Sequence, residues 1–580
     1  MRRTSPLCIV LAAACAPATQ VATTPAPELG KVAHAKRAAV TSASVYSSEA
    51  GLGVLRAGGN AVDAAVATAF ALGVVEPQMS GLGGGGTALV WLAGERRAEY
   101  VDFYAAQPAA PFRTPGDTTR RDLRVVAVPG SVAGLLELHE RFGRLTRAQV
   151  IAPAIRLAEE GVPVSQVLAG FIDGDSAKLH RYPAAAAFAW PGGEPLAPGA
   201  TLRNPELAAT LRRVAEQGRD GFYRGETARR LVAAMNAGGH PVRAEDLAAF
   251  PVRWKRPLCT VYRGDVVLSA PPPQTGLQLL HTLELLEPHD LRAAGLPTRA
   301  PAAFDLLASA LRTGTADNRG NDDPQWRAVP AVGMASEAFA ATRQAHIATG
   351  SAAERIEGAD AVAFETAGAP AACAPYAPYA GEQPVASVSD ALTGGEQPTG
   401  GETTHLSVVD ADGNAVALTQ TNSSTFGVGE WVSGFFLNDS GYRFDTGNSS
   451  NERGGFGWRT RTSTIAPTIV LRDGRVQLVV GSPGGGRIIP AIAQVMIYAL
   501  DYQLPALEAV RMPRIFPSPV SRAVEVEHGF DAATLQGARA MGYRPGLPPG
   551  GYARVYLIAR EAGGWTAVAD PRHDGGALGY

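Results

Sequence analysis

"GGETTHLSVVDADGNAVALTQT", residues 400–421, places a Thr-Thr pair at the head of a run that alternates apolar and polar residues. Alternation with a period of two is the mark of a strand. Ala411-Asp412-Gly413-Asn414 interrupts the run with turn-forming residues, so the stretch reads as a β-hairpin. Upstream, from about 350 to 402, the chain is rich in Ala, Gly, Pro, Ser and acid, which is linker composition. A loose segment that ends on Thr-Thr-His allows two readings. It joins two domains, or it is a junction cut so that Thr403 becomes a new N-terminus.

The second reading has a chemistry. A threonine hydroxyl is a weak nucleophile until a base takes its proton. Scission between Glu402 and Thr403 would free an α-amino group, whose ordinary pKa is about 7.7–8.0. One residue would then hold nucleophile and base together. The loose segment gives the junction access and room to move. Thr404 is the competing nucleophile, and two plain β-forming residues at a strand start are the structural alternative.

Working outward, "STIAPTIVLRDGRVQLVVGSPGGG" (463–486) repeats the hairpin plan with its turn at Arg472-Asp473-Gly474, and a helix follows over about 487–503. "GGNAVDAAVATAFALGVVEP" (58–77) predicts a helix capped by Asn60 and ended by Pro77, with Val62, Val66, Ala69 and Phe70 on one stripe. "GLGGGGTALVWLAG" (81–94) follows, a glycine run entering a strand. It satisfies G-x-G-x-x-G, but a dinucleotide site needs a strand before the run and a helix after it. The order here is reversed, so the glycines signify close backbone packing beside a pocket. Residues 130–170 and 203–250 carry helical periodicity, 257–270 reads as strand, and an apolar helix follows the rigid "APPPQTG" turn at 277–287. This pattern suits layered α and β structure.

The totals narrow the function classes. A chain of 580 residues holds more than one small core. Its 52 basic and 54 acidic residues nearly cancel, which argues against a nucleic-acid binder. "MRRTSPLCIVLAAAC" (1–15) has the charged start and short apolar run of an export signal, too short for an anchor. Cys15 resembles a lipoprotein cleavage site, so either lipidation of Cys15 or ordinary signal cleavage fits. Residues 16–36 read as a flexible tether. Cys259 and Cys373 remain as a pair that could bridge in an oxidising compartment. No cysteine or histidine spacing matches a metal motif, and no metal or cofactor is expected.

"TTHLSVVDADGNAVALTQT…FG", "APTIV", "GSPGGGRI" and the closing "DPRHDGGALGY" resemble the small chain of the γ-glutamyltranspeptidase family. "AGGNAVDAAVATAFALGVVEPQ", "LGGGG", "VPGSVAGL", "FYRGETARRL" and "PPPQTGLQLL" resemble its large chain, and the likeness runs from about residue 40 to 580. The resemblance implies an α+β fold, the four-layer αββα sandwich of N-terminal-nucleophile hydrolases. It implies a precursor that cuts itself into a large chain (37–402, with 349–402 leading to the cleavage point) and a small catalytic chain (403–580) that stay together. By the same resemblance Thr403 is the nucleophile, Thr421 hydrogen-bonds it, and the backbone N–H groups of Gly484 and Gly485 form the oxyanion hole.

The family's grip on a glutamyl zwitterion is only partly matched. The hydroxyl pair for the α-carboxylate survives as Ser463 and Thr464. The family's arginine follows Asp-Phe, where this chain has Tyr104. In "FLNDSGYRFD" (436–445) Ser440 takes an amide or acid position and Arg443 the aspartate position, with Asp439 or Asp445 as replacements under a register shift. Ser423 stands where the family has asparagine, beside Asn422. A cation in place of the aspartate would repel an α-ammonium, and loss of the arginine removes a bidentate clamp. The expected function is an exported γ-glutamyltranspeptidase-like enzyme acting through an acyl-threonine, with transfer to water or an amine. The alternatives are a glutaryl or cephalosporin acylase-like hydrolase on the same fold, and a non-catalytic binding protein that retains it.

Overall fold

The hairpin read in residues 400–421 forms, and it occupies the middle of a sheet. The computed structural model describes residues 30–109, 122–239, 242–325, 328–367, 369–376, 402–441, 457–548 and 553–580. Fourteen of its strands build two large sheets. In chain order they are β1 (Val32–Ala35), β2 (Ala39–Ser42), β3 (Gly85–Leu92), β4 (Arg97–Asp102), β5 (Arg253–Lys255), β6 (Leu258–Tyr262), β7 (Asp265–Ser269), β8 (Glu402–Val409), β9 (Ala415–Ser423), β10 (Thr468–Arg472), β11 (Arg475–Gly481), β12 (Tyr556–Glu561), β13 (Gly564–Ala569) and β14 (Gly576–Gly579). One sheet runs β14-β2-β8-β9-β3-β4-β5 and the other β1-β13-β12-β11-β10-β7-β6. Every neighbouring pair in both is antiparallel.

The sheets stack face to face, with β8 and β9 against β11 and β2 against β12 and β13. Helices α1 (Val45–Arg56) and α2 (Ala61–Val75) cover the first sheet. Helices α3 (Gly276–Leu286), α4 (Pro301–Asp317) and α5 (Ile488–Leu500) lie on the side of the second, where α3 meets β6 and β7 and α5 meets β11. The result is the αββα sandwich. A central strand in such a stack is covered on both faces, so all nine residues of β9 are buried, Thr419, Gln420 and Thr421 included.

Local chemistry fixes the ends of these elements. Asn60 caps α2 by accepting from Val62 N and Asp63 N, while Asp63 returns a bond to Asn60 N. Asp410, in the hairpin turn, accepts from Ala61 N and so ties β8 to the start of α2. The β10–β11 turn puts Asp473 at φ +53° and Gly474 at φ +71°, the paired positive values of a tight hairpin. The stripe expected on α2 is instead a helix buried on nearly every face, because neighbouring helices cover the side turned from the sheet.

Two boundaries need correction. Residues 16–36 were expected to be tether, yet Val32–Ala35 pair with β13 as an edge strand. The stretch 349–402 was expected to be loose, yet its described part, to residue 376, is tied down. Gly350 N donates to Asp305 Oδ2 at 2.8 Å, Ile356 N to Pro519 O at 3.0 Å, and Arg312 bonds the carbonyls of Ala353 and Glu354. Cys373 is bonded to Cys259 with their Cα atoms 5.7 Å apart. Composition counts apolar residues and misses anchoring through backbone groups and one disulfide. The signal segment 1–15 lies outside the described residues.

Two histidines are held neutral in this frame. Burial alone pushes the His405 imidazole down to about 3. Burial, aided by the Arg554 and Lys31 cations, pushes His573 down to about 2. Both unfold to a group that titrates near 6.5. Below that value the unfolded chain binds protons that the folded chain refuses, so stability is lost as pH falls through this window. Denaturant unfolding should show midpoints that decline between pH about 6.5 and 5, less steeply than two histidines alone would give, because burial raises the Glu284 carboxyl to about 7 and lets the folded chain take up one proton there. A flat profile there would contradict the neutral, buried assignment.

Candidate functional site

Thr403 sits where the ladder between β8 and β9 is irregular. Glu402 pairs with Ser423 and Thr404 with Gln420, with a register shift between them. Thr403 is therefore turned toward Thr421, and its Oγ1 donates to Thr421 Oγ1 at 3.3 Å. Thr421 Oγ1 also accepts from Ser423 N at 2.8 Å. The two donors fix the Thr421 hydroxyl as an acceptor aimed at Thr403. Ser423 adopts φ +76°, an unusual backbone for a serine, and this bend keeps its N–H within reach of Thr421.

The next hydroxyls continue the chain. Tyr104 Oη lies 3.2 Å from Ser423 Oγ, and Ser423 Oγ lies 2.7 Å from Ser440 Oγ. All three side chains are buried. Tyr104 follows the end of β4, and its N–H donates to Asp102 Oδ1 at 3.0 Å. Ser440 is held by Asn438, whose Oδ1 accepts from Ser440 N and Ala127 N while its Nδ2 donates to Gly83 O and Ala127 O. The wall beside Thr403 thus carries three neutral hydroxyls in contact.

The glycine run packs as read. A Cβ on Gly84 would stand 2.3 Å from Thr421 O and 2.7 Å from Asn422 Oδ1, and one on Gly85 would stand 2.2 Å from Ala105 N. The run is squeezed between the Thr421 strand and the Tyr104 segment, and any side chain there would push them apart.

The second sheet brings the other expected residues to the same end of the sandwich. A Cβ on Gly481 would lie 2.2 Å from His405 Cε1, so β11 ends directly on β8, two residues from Thr403. The His405 ring is fixed there by Thr419 Oγ1 at 2.7 Å and Ser407 Oγ at 3.1 Å. Beyond Gly481 the chain turns through Gly484 (φ +131°) and Gly485 (φ +57°) into α5. Gly484 lies against Ala553, which a Cβ would meet at 2.8 Å. Ser463 bridges Gln274, donates its N–H to Pro273 O at 3.4 Å, and accepts from Thr275 Oγ1 at 2.7 Å. Thr464 beside it is half-buried.

Of the charged replacements, Asp439 is fully buried and spent on Ser424, accepting from its N at 2.9 Å and its Oγ at 2.6 Å. Asn422 donates to Pro77 O. Arg443 and Asp445 lie outside the described residues, as does the side chain of Glu402. Sequence reading missed Asp102 and Asn438. Asp102 stands two residues before Tyr104 in the phrase already singled out; the partners of Asn438 are distant in sequence and gave no local signal.

A family model described as gamma-glutamyltranspeptidase matches residues 47–580. The chain is 33% identical over 558 residues to the acylase ACY 1 proenzyme of Pseudomonas sp. (strain SE83), covering 93% of this chain and 91% of that protein. It is 32% identical over 572 residues to the glutathione hydrolase proenzyme of Bacillus subtilis (strain 168), covering 95% and 93%. The crystal structure of a cephalosporin acylase from Bacillus halodurans matches with a TM-score of 0.81 at 26% identity, over 96% of this chain and 98% of that one.

The Thr403–Thr421 bond can be tested through self-cleavage. Thr421→Val keeps the branched shape and removes the acceptor. Formation of two chains, timed on a denaturing gel, should slow by about tenfold, the worth of one hydrogen bond of about 1–1.5 kcal/mol. Thr421→Ser should restore most of the rate. Equal rates for Val and Thr at 421 would remove the bond from the reaction.

Proposed function

This chain belongs to the γ-glutamyltranspeptidase family, and on that premise we propose an exported, self-processing amide hydrolase that prefers glutaryl-type acyl groups. The Tyr104–Ser423–Ser440 hydroxyl chain carries this reading. It puts neutral groups where a zwitterion would need fixed charge.

The precursor matures when Thr403 Oγ1 adds to the carbonyl of Glu402. The peptide bond becomes an ester, and water hydrolyses it to a new carboxylate and a free Thr403 amine. That amine then takes the Oγ1 proton as substrate arrives. Oγ1 attacks the acyl carbonyl, and the N–H groups of Gly484 and Gly485 hold the developing oxyanion. Glycine permits the positive φ at both positions, and one such donor is worth about 10²–10³ in rate. The proton passes to the leaving amine, the acyl group stays on Thr403, and water or another amine releases it. Thr421 Oγ1 keeps the nucleophile in line throughout.

Specificity follows from the walls. The hydroxyls of Ser463 and Thr464 receive a terminal carboxylate, and by sequence register Arg443 stands where the family has an aspartate for an α-ammonium. An acyl group with the acid and without the α-amine avoids that repulsion. Similarity to an acylase proenzyme supports this choice. Near-equal similarity to a glutathione hydrolase supports γ-glutamyl amides as the second reading.

Two measurements test the proposal. Purified protein should run as two bands with the smaller starting at Thr403, and Thr403→Ala should stay at 60.2 kDa if its leader is retained. On chromogenic anilides, kcat/KM should favour glutaryl over γ-glutamyl by about tenfold or more, the scale of one unfavourable charge contact of about 1.4 kcal/mol. The reverse preference would select the second reading. An uncut, inactive parent would leave a binding protein on this fold.

A further inference from the structure

The edge strand β5 carries two cations that the mechanism does not use. Arg253 and Lys255 are two residues apart on a strand and so project to the same face. Lys255 Nζ donates to Asp102 Oδ2 at 2.8 Å and to Pro272 O at 2.9 Å. Asp102 is nearly fully buried, and its other oxygen accepts from Tyr104 N. Pro272 precedes Pro273, whose carbonyl accepts from Ser463 N. One ammonium group therefore joins the Tyr104 segment on the first sheet to the Ser463–Thr464 segment on the second. Arg253 repeats the device one step away. Its Nη1 donates to Asp323 Oδ2 at 3.1 Å, and that oxygen accepts from Thr460 N and Oγ1 at 3.2 Å. Against its burial, which raises it, the two cations and the backbone N–H groups of Gln325 and Thr460 hold the Asp323 carboxyl below its ordinary value.

We propose that Lys255 is a positioning residue that sets the separation between Tyr104 and the Ser463–Thr464 pair, and with it the length of acyl chain the site accepts. This role rests on the proposed reading in which these two segments are the walls of the acyl site. Lys255 touches no reacting atom. It acts through Asp102 on one wall and through Pro272 on the other. A bond between a buried carboxylate and a half-buried ammonium is strong and directional, so its two anchors cannot drift independently. Arg253, through Asp323 and Thr460, holds the approach to the same wall three residues before Ser463.

The test compares Lys255→Met, Lys255→Arg and the double variant Lys255→Met/Asp102→Asn with the parent. The double variant removes the stranded buried carboxylate and keeps an acceptor for Tyr104 N, so it remains foldable where the single one fails. Each matured protein is assayed on succinyl, glutaryl, adipyl and γ-glutamyl anilides, and crystal structures give the Tyr104–Ser463 separation. Loss of Lys255 should raise KM for the preferred acyl group about tenfold and change kcat far less. It should flatten the preference among chain lengths and alter the wall separation, and Lys255→Arg should restore both. An equal loss on every anilide with the preference intact, or an unchanged separation, overturns the proposal. The parent's choice between glutaryl and γ-glutamyl is a separate readout, so the substrate reading can fail while the role of Lys255 is still decided.

Discussion

The pairing of β8 with β9 governs the rest of the molecule. These strands lie side by side in the centre of one sheet, with helices on one face and the second sheet on the other. Side chains on a strand alternate between faces, so a slip of one residue would move Thr403 away from Thr421 and turn buried groups outward. Burial of all nine residues of β9 makes such a slip costly. The registration of the two threonines is therefore a by-product of core packing. The Thr403–Thr421 geometry is held by the same hydrophobic stack that holds the fold.

Against this rigid centre, the irregularity at Thr403 stands out. The ladder shifts between Glu402 and Thr404, around the peptide bond proposed for scission. A strand in perfect register would bury that bond in a continuous ladder. The shift frees the Thr403 hydroxyl to point along the sheet toward Thr421. On the opposite strand, Ser423 takes a positive φ and closes the arrangement. Local departures from regular geometry, here at the proposed nucleophile, are costs that the surrounding packing offsets.

The glycines serve a related purpose. Gly84 and Gly85 let the Thr421 strand and the Tyr104 segment approach, and Gly481 lets the second sheet rest on the neutral His405 ring. The polar groups packed here are satisfied largely by one another. Asp439 is consumed by Ser424, Asn438 by three backbone segments, and Asp102 by Lys255 and Tyr104. Among the described residues, charge near the Tyr104–Ser423–Ser440 wall is thus committed to structure, and the three hydroxyls themselves carry none. That division is what supports the proposed preference for an acyl group without an α-amine.

Short stretches of the sequence by themselves determined a great deal. Alternation and turn chemistry gave both hairpins, and Asn60 as a cap gave the helix start, because these are contacts between near neighbours in the chain. The Thr-Thr-His phrase and the glycine runs identified the family and the expected nucleophile. Tertiary structure alone decided the rest. Whether Thr403 meets Thr421, whether Tyr104 reaches Ser423 across 319 positions, and whether Lys255 joins two walls depend on how distant segments pack. The same holds for the anchored stretch before residue 376, which composition labelled loose. No local pattern encodes these contacts, since each is fixed by the stacking of two sheets whose strands come from both ends of the chain.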